Sequence, residues 1–123
     1  MVVGKSDLKD MMEKHDLRPS KSLGQNFVVD PNTILKIIRA ANIEKGEQIL
    51  EIGPGLGSLT SQLSTTSKVV AIELDRYLIP ALEEVLSKFG ERENVEIVQE
   101  DAMKVNWRKF FDQRQGYWKM VSN

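Results

Sequence analysis

Three glycines at alternate positions, Gly53, Gly55 and Gly57, stand directly behind the short apolar run Gln48-Ile49-Leu50-Glu51-Ile52. Glycines placed after a buried strand let the backbone come close to a ligand, because no Cβ stands in the way. The segment from Ser58 to Leu63 reads as a helix, whose free N–H groups point at the same place. A strand, a glycine turn and a helix in that order are the opening unit of an α/β fold.

The rest of the chain alternates in the same way. Asp30-Pro31 marks a helix start, an N-cap followed by proline at the first helical position. Ile34, Leu35, Ile37, Ile38 and Ala41 supply its apolar stripe, and Glu44-Lys45-Gly46 ends it. Lys68-Val69-Val70-Ala71-Ile72 is a β-branched run, read as a buried strand. Leu78, Leu82, Val85, Leu86 and Phe89 recur at helical spacing, with Pro80 early and Gly90 at the stop. Val95-Glu96-Ile97-Val98 predicts a third strand and Lys119-Met120-Val121-Ser122 a fourth. The sum is right-handed βαβ units in a parallel, doubly wound sheet. Residues 1–17 are polar and Met-rich, read as an N-terminal extension that is either a short helix (Leu8, Met11, Met12) or a loose end. The stretch from Arg18 to Phe27 has no regular periodicity and reads as a loop.

Glu73 closes the second strand 20 residues after Gly53, the spacing at which such folds set a carboxylate against ribose hydroxyls. Asp101 follows the third strand. Glycine, acid and acid therefore line one carboxyl edge of the sheet, where open α/β sheets bind ligands. A dinucleotide fingerprint has the spacing G-x-G-x-x-G, whereas Ser58 stands where its third glycine belongs. Glu51, two residues before the first glycine, suits a cation better than a diphosphate by charge complementarity. S-adenosylmethionine, with its ribose, adenine, sulfonium and ammonium, fits this pattern, and a nicotinamide dinucleotide fits it poorly.

Composition narrows the chemistry further. The 123 residues contain no cysteine and one histidine, His15, which excludes disulfides, thiolate zinc sites and histidine-rich metal sites. The sequence lacks a secretory leader pattern and any apolar run of bilayer length, which points to a cytoplasmic protein. A net charge of −1 says little about partners, although Lys14, Arg18, Lys21 and Lys36 bias the first third towards positive. His15 has no triad-like neighbours and reads as a surface residue. The aromatic residues Trp107, Phe110, Phe111 and Trp118 read as core rather than as base-stacking groups.

Taken together, Lys21-Ser22-Leu23-Gly24-Gln25-Asn26-Phe27, Leu50 to Thr60, Val70 to Arg76, Gln99 to Met103 and the final Val121-Ser122-Asn123 resemble the small-subunit ribosomal RNA adenine dimethyltransferases. Order and spacing agree from about Arg18 onward. The Gly-Gln-Asn-Phe element is the most specific, since generic methyltransferases lack it. The resemblance implies a Rossmann-like class I methyltransferase domain over 18–123. It also implies an S-adenosylmethionine site in which Gln25, Asn26 and Val28 line the methionine end. Gly53 and Gly55 would meet the cofactor, Glu73 its ribose hydroxyls and Asp101 its adenine amino group. Val28 departs from the leucine usual in the family.

The implied reaction is methyl transfer to N6 of two adjacent adenosines near the 3′ end of small-subunit rRNA, within a 30S-type pre-ribosomal particle. Asn123 would open the catalytic Asn-Leu-Pro-aromatic motif and touch the cofactor as well, and Lys14, Arg18 and Lys21 would meet RNA phosphate. The sequence ends at Asn123, so the expectation is a partial sheet of about four strands, inactive alone and able to self-associate through its uncovered surface. Other readings remain open. They are the erythromycin-resistance enzymes acting on large-subunit rRNA, their mitochondrial transcription-factor relatives, a non-catalytic cofactor- or RNA-binding module, and a nicotinamide dehydrogenase.

Overall fold

A computed structural model describes residues 2–18 and 27–122 of the chain. Helix α1 (Lys5–Lys14) and helix α2 (Pro31–Ala41) precede strand β1 (Gln48–Ile52). Helix α3 (Ser58–Ser64), strand β2 (Val69–Glu73), helix α4 (Ile79–Phe89) and strand β3 (Val95–Gln99) follow. Helix α5 (Trp107–Gln113) and strand β4 (Trp118–Val121) complete the described elements. The four strands lie in the order β3-β2-β1-β4, and every neighbouring pair is parallel. The predicted parallel sheet is present, with strand boundaries displaced by one residue at β2 and β4.

The two faces of the sheet are built differently. Ile49, Val69, Ala71, Val95 and Val121 pack with Ile34 of α2, Leu59 and Leu63 of α3, and Leu82 and Leu86 of α4. Leu50, Val70 and Ile72 point the other way, since successive strand residues alternate, and pack with Phe110 of α5, Trp107 and Trp118. Phe110 and Trp118 have ring centroids 5.8 Å apart, and Trp107 and Phe110 meet edge to face at 5.3 Å. The aromatic group therefore packs into the core, as its spacing predicts, with Phe110 buried, Trp107 and Trp118 partly buried and Phe111 37% exposed.

Local chemistry fixes the element ends. The Asp30 carboxylate accepts from the Asn32 N–H at 2.9 Å, capping α2 with Pro31 in its first turn. Asn42 then ends that helix in the left-handed region at φ 46°. Asn106 caps α5 by accepting from the Lys109 N–H at 3.1 Å. Helix α3 is rich in small polar residues. The Ser61 and Ser64 hydroxyls donate to the carbonyls of Ser58 and Ser61, at 3.0 and 2.6 Å, so they are buried without being orphaned. Ser64 Oγ also accepts from the Glu91 N–H at 2.9 Å, tying α3 to the connection between α4 and β3.

Residues before Arg18 are part of this packing. Helix α1 buries Leu8 and Met11, and Val3 before it, in a cluster with Phe27, Leu56, Leu78, Ala81 and Val85. Of the two readings open for residues 1–17, the helix is the one found, and it is packed rather than loose. His15 is half-buried rather than fully exposed, with Nε2 3.4 Å from Glu84 Oε1.

Candidate functional site

The carboxyl edge of the sheet brings together the turn after β1, the end of β2 and the end of β3. Each follows from the fold: parallel strands finish side by side, and their loops must share one edge. Gly53 N–H donates to the Ile72 carbonyl at 2.9 Å, so the first glycine of the turn is still stitched to β2. Its φ is 69°, and nothing of the chain lies within 4 Å of where a Cβ would stand. The bare backbone thus faces open space, the cradle expected where a ligand lies against a turn. Gly57 is glycine for the opposite reason, since a Cβ there would sit 2.6 Å from Leu82 Cδ1 of α4.

Glu73 connects the turn to the second strand. Its Oε1 accepts from the Gly55 N–H at 3.3 Å and its Oε2 from the Asp75 N–H at 2.9 Å. Each carboxylate oxygen retains a second lone-pair site for an incoming hydroxyl. Glu73 is buried, and burial pushes its carboxyl above the usual carboxylate range while the Asp75 and Gly55 N–H groups pull the other way. The Glu100 N–H donates to the Glu73 carbonyl at 3.1 Å, which carries the edge on to β3. Asp101 follows there, half-buried, with Oδ1 accepting from the Met103 N–H at 2.9 Å. The edge is acidic and glycine-rich, as the spacing predicts.

Glu51 adds a feature that the sequence reading placed beside the turn but did not count among the binding residues. It is 1% exposed, on the α3 side of β1, and its Oε1 accepts a hydrogen bond from Thr60 Oγ1. Burial pushes its carboxyl up to about 7, with the Thr60 hydroxyl opposing and the Glu73 charge adding to the rise. The signal was legible in part: an acid embedded in Ile49-Leu50-Glu51-Ile52 must be buried and partnered. Its partner, nine residues away across a turn, has no sequence signature.

Glu51, Gly53, Gly55 and Ser58 line a small cleft of about 60 Å³ together with Phe27 and Val29. That is room for an ammonium or carboxylate group, not for a nucleoside. A larger groove of about 740 Å³ lies at the opposite, amino edge, between residues 42–47 and β4. It lies away from the turn after β1, Glu73 and Asp101, and Lys45 and Lys119 stand among its lining residues.

The remaining expected residues are less concentrated. Val28 is half-buried, between Phe27 and Val29 of the cleft wall. Gln25, Asn26, Lys21 and Asn123 lie outside the described residues. Lys14 is on α1, where Nζ pairs with Glu84 Oε1 at 2.8 Å, and Arg18 is exposed one turn of chain further on. A phosphate at Lys14 therefore competes with Glu84. Among the described residues no helix is long and apolar enough to cross a membrane, and no group of three acids or histidines could hold a metal ion.

A four-stranded parallel sheet covered on both faces, with a glycine turn and two acids on its carboxyl edge, is the Rossmann-like architecture of class I methyltransferases. Solved structures agree. The chain superposes on a 23S rRNA methyltransferase, ErmE, with a TM-score of 0.56 and 34% identity, over 65% of this chain and 32% of that one. A dimethyladenosine transferase from Plasmodium falciparum gives 0.54 and 35%, over 62% and 28%. An RNA methyltransferase from Salinibacter ruber, solved with S-adenosyl-L-homocysteine, shares the fold alone, at 0.58 and 19% identity over 63% of this chain and 52% of that one.

The profile of the ribosomal RNA adenine dimethylases matches residues 17–123, and the chain belongs to that family. Curated relatives include the ribosomal RNA small subunit methyltransferase A of Pelotomaculum thermopropionicum, 45% identical over 108 residues, 87% of this chain and 36% of the relative. That of Clostridioides difficile is 46% identical over 99 residues, 80% of this chain and 33% of the relative. The chain thus spans about a third of the length of the curated relatives it matches.

Proposed function

We propose that this chain binds S-adenosylmethionine along the carboxyl edge of its sheet and is the cofactor-binding part of an adenine N6,N6-dimethyltransferase of small-subunit rRNA. The observation that carries the reading is the junction of Gly55 with Glu73. It holds a buried carboxylate, read as the ribose-binding group, against a glycine turn whose Gly53 faces open space, in a chain of this family. The residues fit the cofactor in kind. Glu73 has lone pairs left for two ribose hydroxyls, and Asp101 has a free Oδ2 side towards an adenine amino group. Gly53 and Gly55 leave the backbone bare, and the cleft beside Glu51 takes the cationic methionine end. Gln25, Asn26 and Val28 complete that end.

When bound, S-adenosylmethionine supplies an electrophilic methyl group. The protein's part is positioning and electrostatics. Asn123 accepts a hydrogen bond from the target amino group, keeping its lone pair directed at the methyl rather than delocalised into the ring. Lys14, Arg18 and Lys21 hold the RNA backbone. The substrate is two adjacent adenosines near the 3′ end of small-subunit rRNA in a pre-ribosomal particle, in the cytoplasm. Residues 18–123 form the methyltransferase unit and 1–17 extend it, and the free edge of β4 is the place where copies of the chain would associate.

Titration calorimetry with S-adenosylmethionine, NADH and Glu73→Ala tests the cofactor reading. The expected result is binding of S-adenosylmethionine alone, weakened by about 100-fold or more in the variant, through loss of charge-assisted hydrogen bonds. Equal binding of NADH, or an unaffected variant, contradicts it. A second reading, methylation of large-subunit rRNA, is favoured by the 34% identity with ErmE. Supplying the two rRNA targets in parallel to the whole enzyme separates them.

A further inference from the structure

Helix α1 precedes the part of the chain that the family profile matches, yet one face of it is buried in the core. Val3 and Leu8 are 0% exposed and Met11 is 5% exposed. Their neighbours are not an arbitrary part of the core. Leu56 belongs to the glycine turn itself, between Gly55 and Gly57. Phe27 stands with Cδ1 3.8 Å from where a Gly55 Cβ would be. Val85 lies on α4, with Cγ1 3.7 Å from the corresponding point at Gly57. The floor of the turn is thus shared between α4 and α1.

The helix is also tied at both ends. Lys5 Nζ lies 3.9 Å from Asp30 Oδ2, the cap of α2, and Lys14 Nζ lies 2.8 Å from Glu84 Oε1 on α4. His15 Nε2 is 3.4 Å from the same Glu84 oxygen, and Lys88 Nζ is 3.7 Å from Glu84 Oε2. The Asp7 carboxylate accepts from the Gly4 N–H at 3.1 Å, fixing the first turn.

We infer that α1 is a positioning element for the glycine turn: by filling the cluster beneath Leu56, Phe27 and Val85, it fixes the backbone that meets the cofactor. The inference rests on the cofactor reading for its consequence in binding, but not for its consequence in the turn. With α1 undocked, Leu56 and Phe27 lose their apolar floor. The turn then keeps its hydrogen bonds to β2, Gly53–Ile72 at 2.9 Å and Gly55–Glu73 at 3.3 Å, and the local Gly57–Pro54 bond at 2.9 Å, without apolar packing beneath Leu56. Local opening is then easier than global unfolding, and it becomes the route by which the turn's amides exchange. Leu8, Met11 and Val3 are positioning residues, since none of them lines the cleft.

Amide hydrogen exchange on the intact chain, paired with titration of S-adenosylhomocysteine, tests this in Leu8→Ala, Leu8→Met and Phe110→Ala. The last removes a core side chain from the opposite face and serves as a matched destabilisation. The expected result for Leu8→Ala is exchange at Gly55 and Gly57 raised on the order of 10-fold beyond that at Ala71 in the middle of β2. A comparable loss of affinity is expected with it. Leu8→Met restores both to within about 3-fold by refilling the volume, and Phe110→Ala raises Gly55, Gly57 and Ala71 together.

Should Leu8→Ala fail to fold, Glu84→Gln loosens the surface ties without opening a cavity. It is expected to change the same two amides by roughly 2-fold to 3-fold, in the same direction. Exchange at Gly55 and Gly57 rising only in step with Ala71 overturns the inference. Wild-type chain that exchanges as expected but binds no S-adenosylhomocysteine overturns the cofactor reading and leaves the positioning role standing. Normal ligand binding with unchanged turn exchange does the reverse.

Discussion

The two faces of the sheet solve different problems with the same strands. On the α5 side, Leu50, Val70 and Ile72 meet Phe110, Trp107 and Trp118, and every buried side chain of that cluster is apolar. On the α3 side and its adjoining edge lie all the buried polar residues among those described: Glu51, Ser58, Thr60, Ser61, Ser64 and Glu73. Burying polar groups is costly even when they are paired, and a buried acid more so. A face that carries six of them is not built for stability alone. The aromatic face holds the sheet together, and the polar face shapes the turn proposed to meet the cofactor.

The comparison breaks most visibly through Phe110→Ala. Loss of this ring, 6% exposed and with its centroid 5.3, 5.1 and 5.8 Å from those of Trp107, Phe111 and Trp118, should cost about 3–5 kcal/mol of stability. Denaturant unfolding measures it. Cofactor affinity under conditions where the protein stays folded should be unchanged. A selective loss of affinity would mean that the aromatic face also shapes the site.

Glu51→Gln sharpens the other half, with a smaller effect. The folded carboxyl is raised to about 7 from an ordinary 4.5, chiefly by burial. Between those two values the folded chain keeps a proton that the unfolded chain has released. Stability of the wild type therefore falls as pH rises from about 4.5 to about 7, and stays low above it. Glutamine can still accept from Thr60 and cannot ionise. The variant should lose most of that slope and gain roughly 1–3 kcal/mol over wild type at pH 8. Unfolding midpoints across this pH range check the sign, and a steeper slope in the variant would refute the buried-acid account.

Much of this was legible in the sequence, for a reason the elements make clear. β1, β2 and β3 are buried runs bounded by turn residues, and the Gly53, Glu73 and Asp101 positions follow from chain spacing once the strands are parallel. Spacing along the chain is what a sequence displays. Contacts across it are not. The Glu51–Thr60 hydrogen bond, the Lys14–Glu84 pair and the burial of Leu8 in one cluster with Leu56 depend on how α1, α3 and α4 pack, and no local pattern announces them. Residues 1–17 illustrate the limit. Leu8, Met11 and Met12 showed a possible helix, but its amphipathic stripe could not say against what it would close.

The most direct test of the central claim maps the ligand onto the backbone. Titrating S-adenosylmethionine into isotopically labelled protein and following amide resonances should move Gly53, Gly55, Glu73 and Asp101 first and furthest. The α5 face and the groove between residues 42–47 and β4 should stay still. Shifts concentrated in that amino-edge groove, or none at the glycine turn at saturating ligand, would contradict the assignment of the carboxyl edge as the cofactor site.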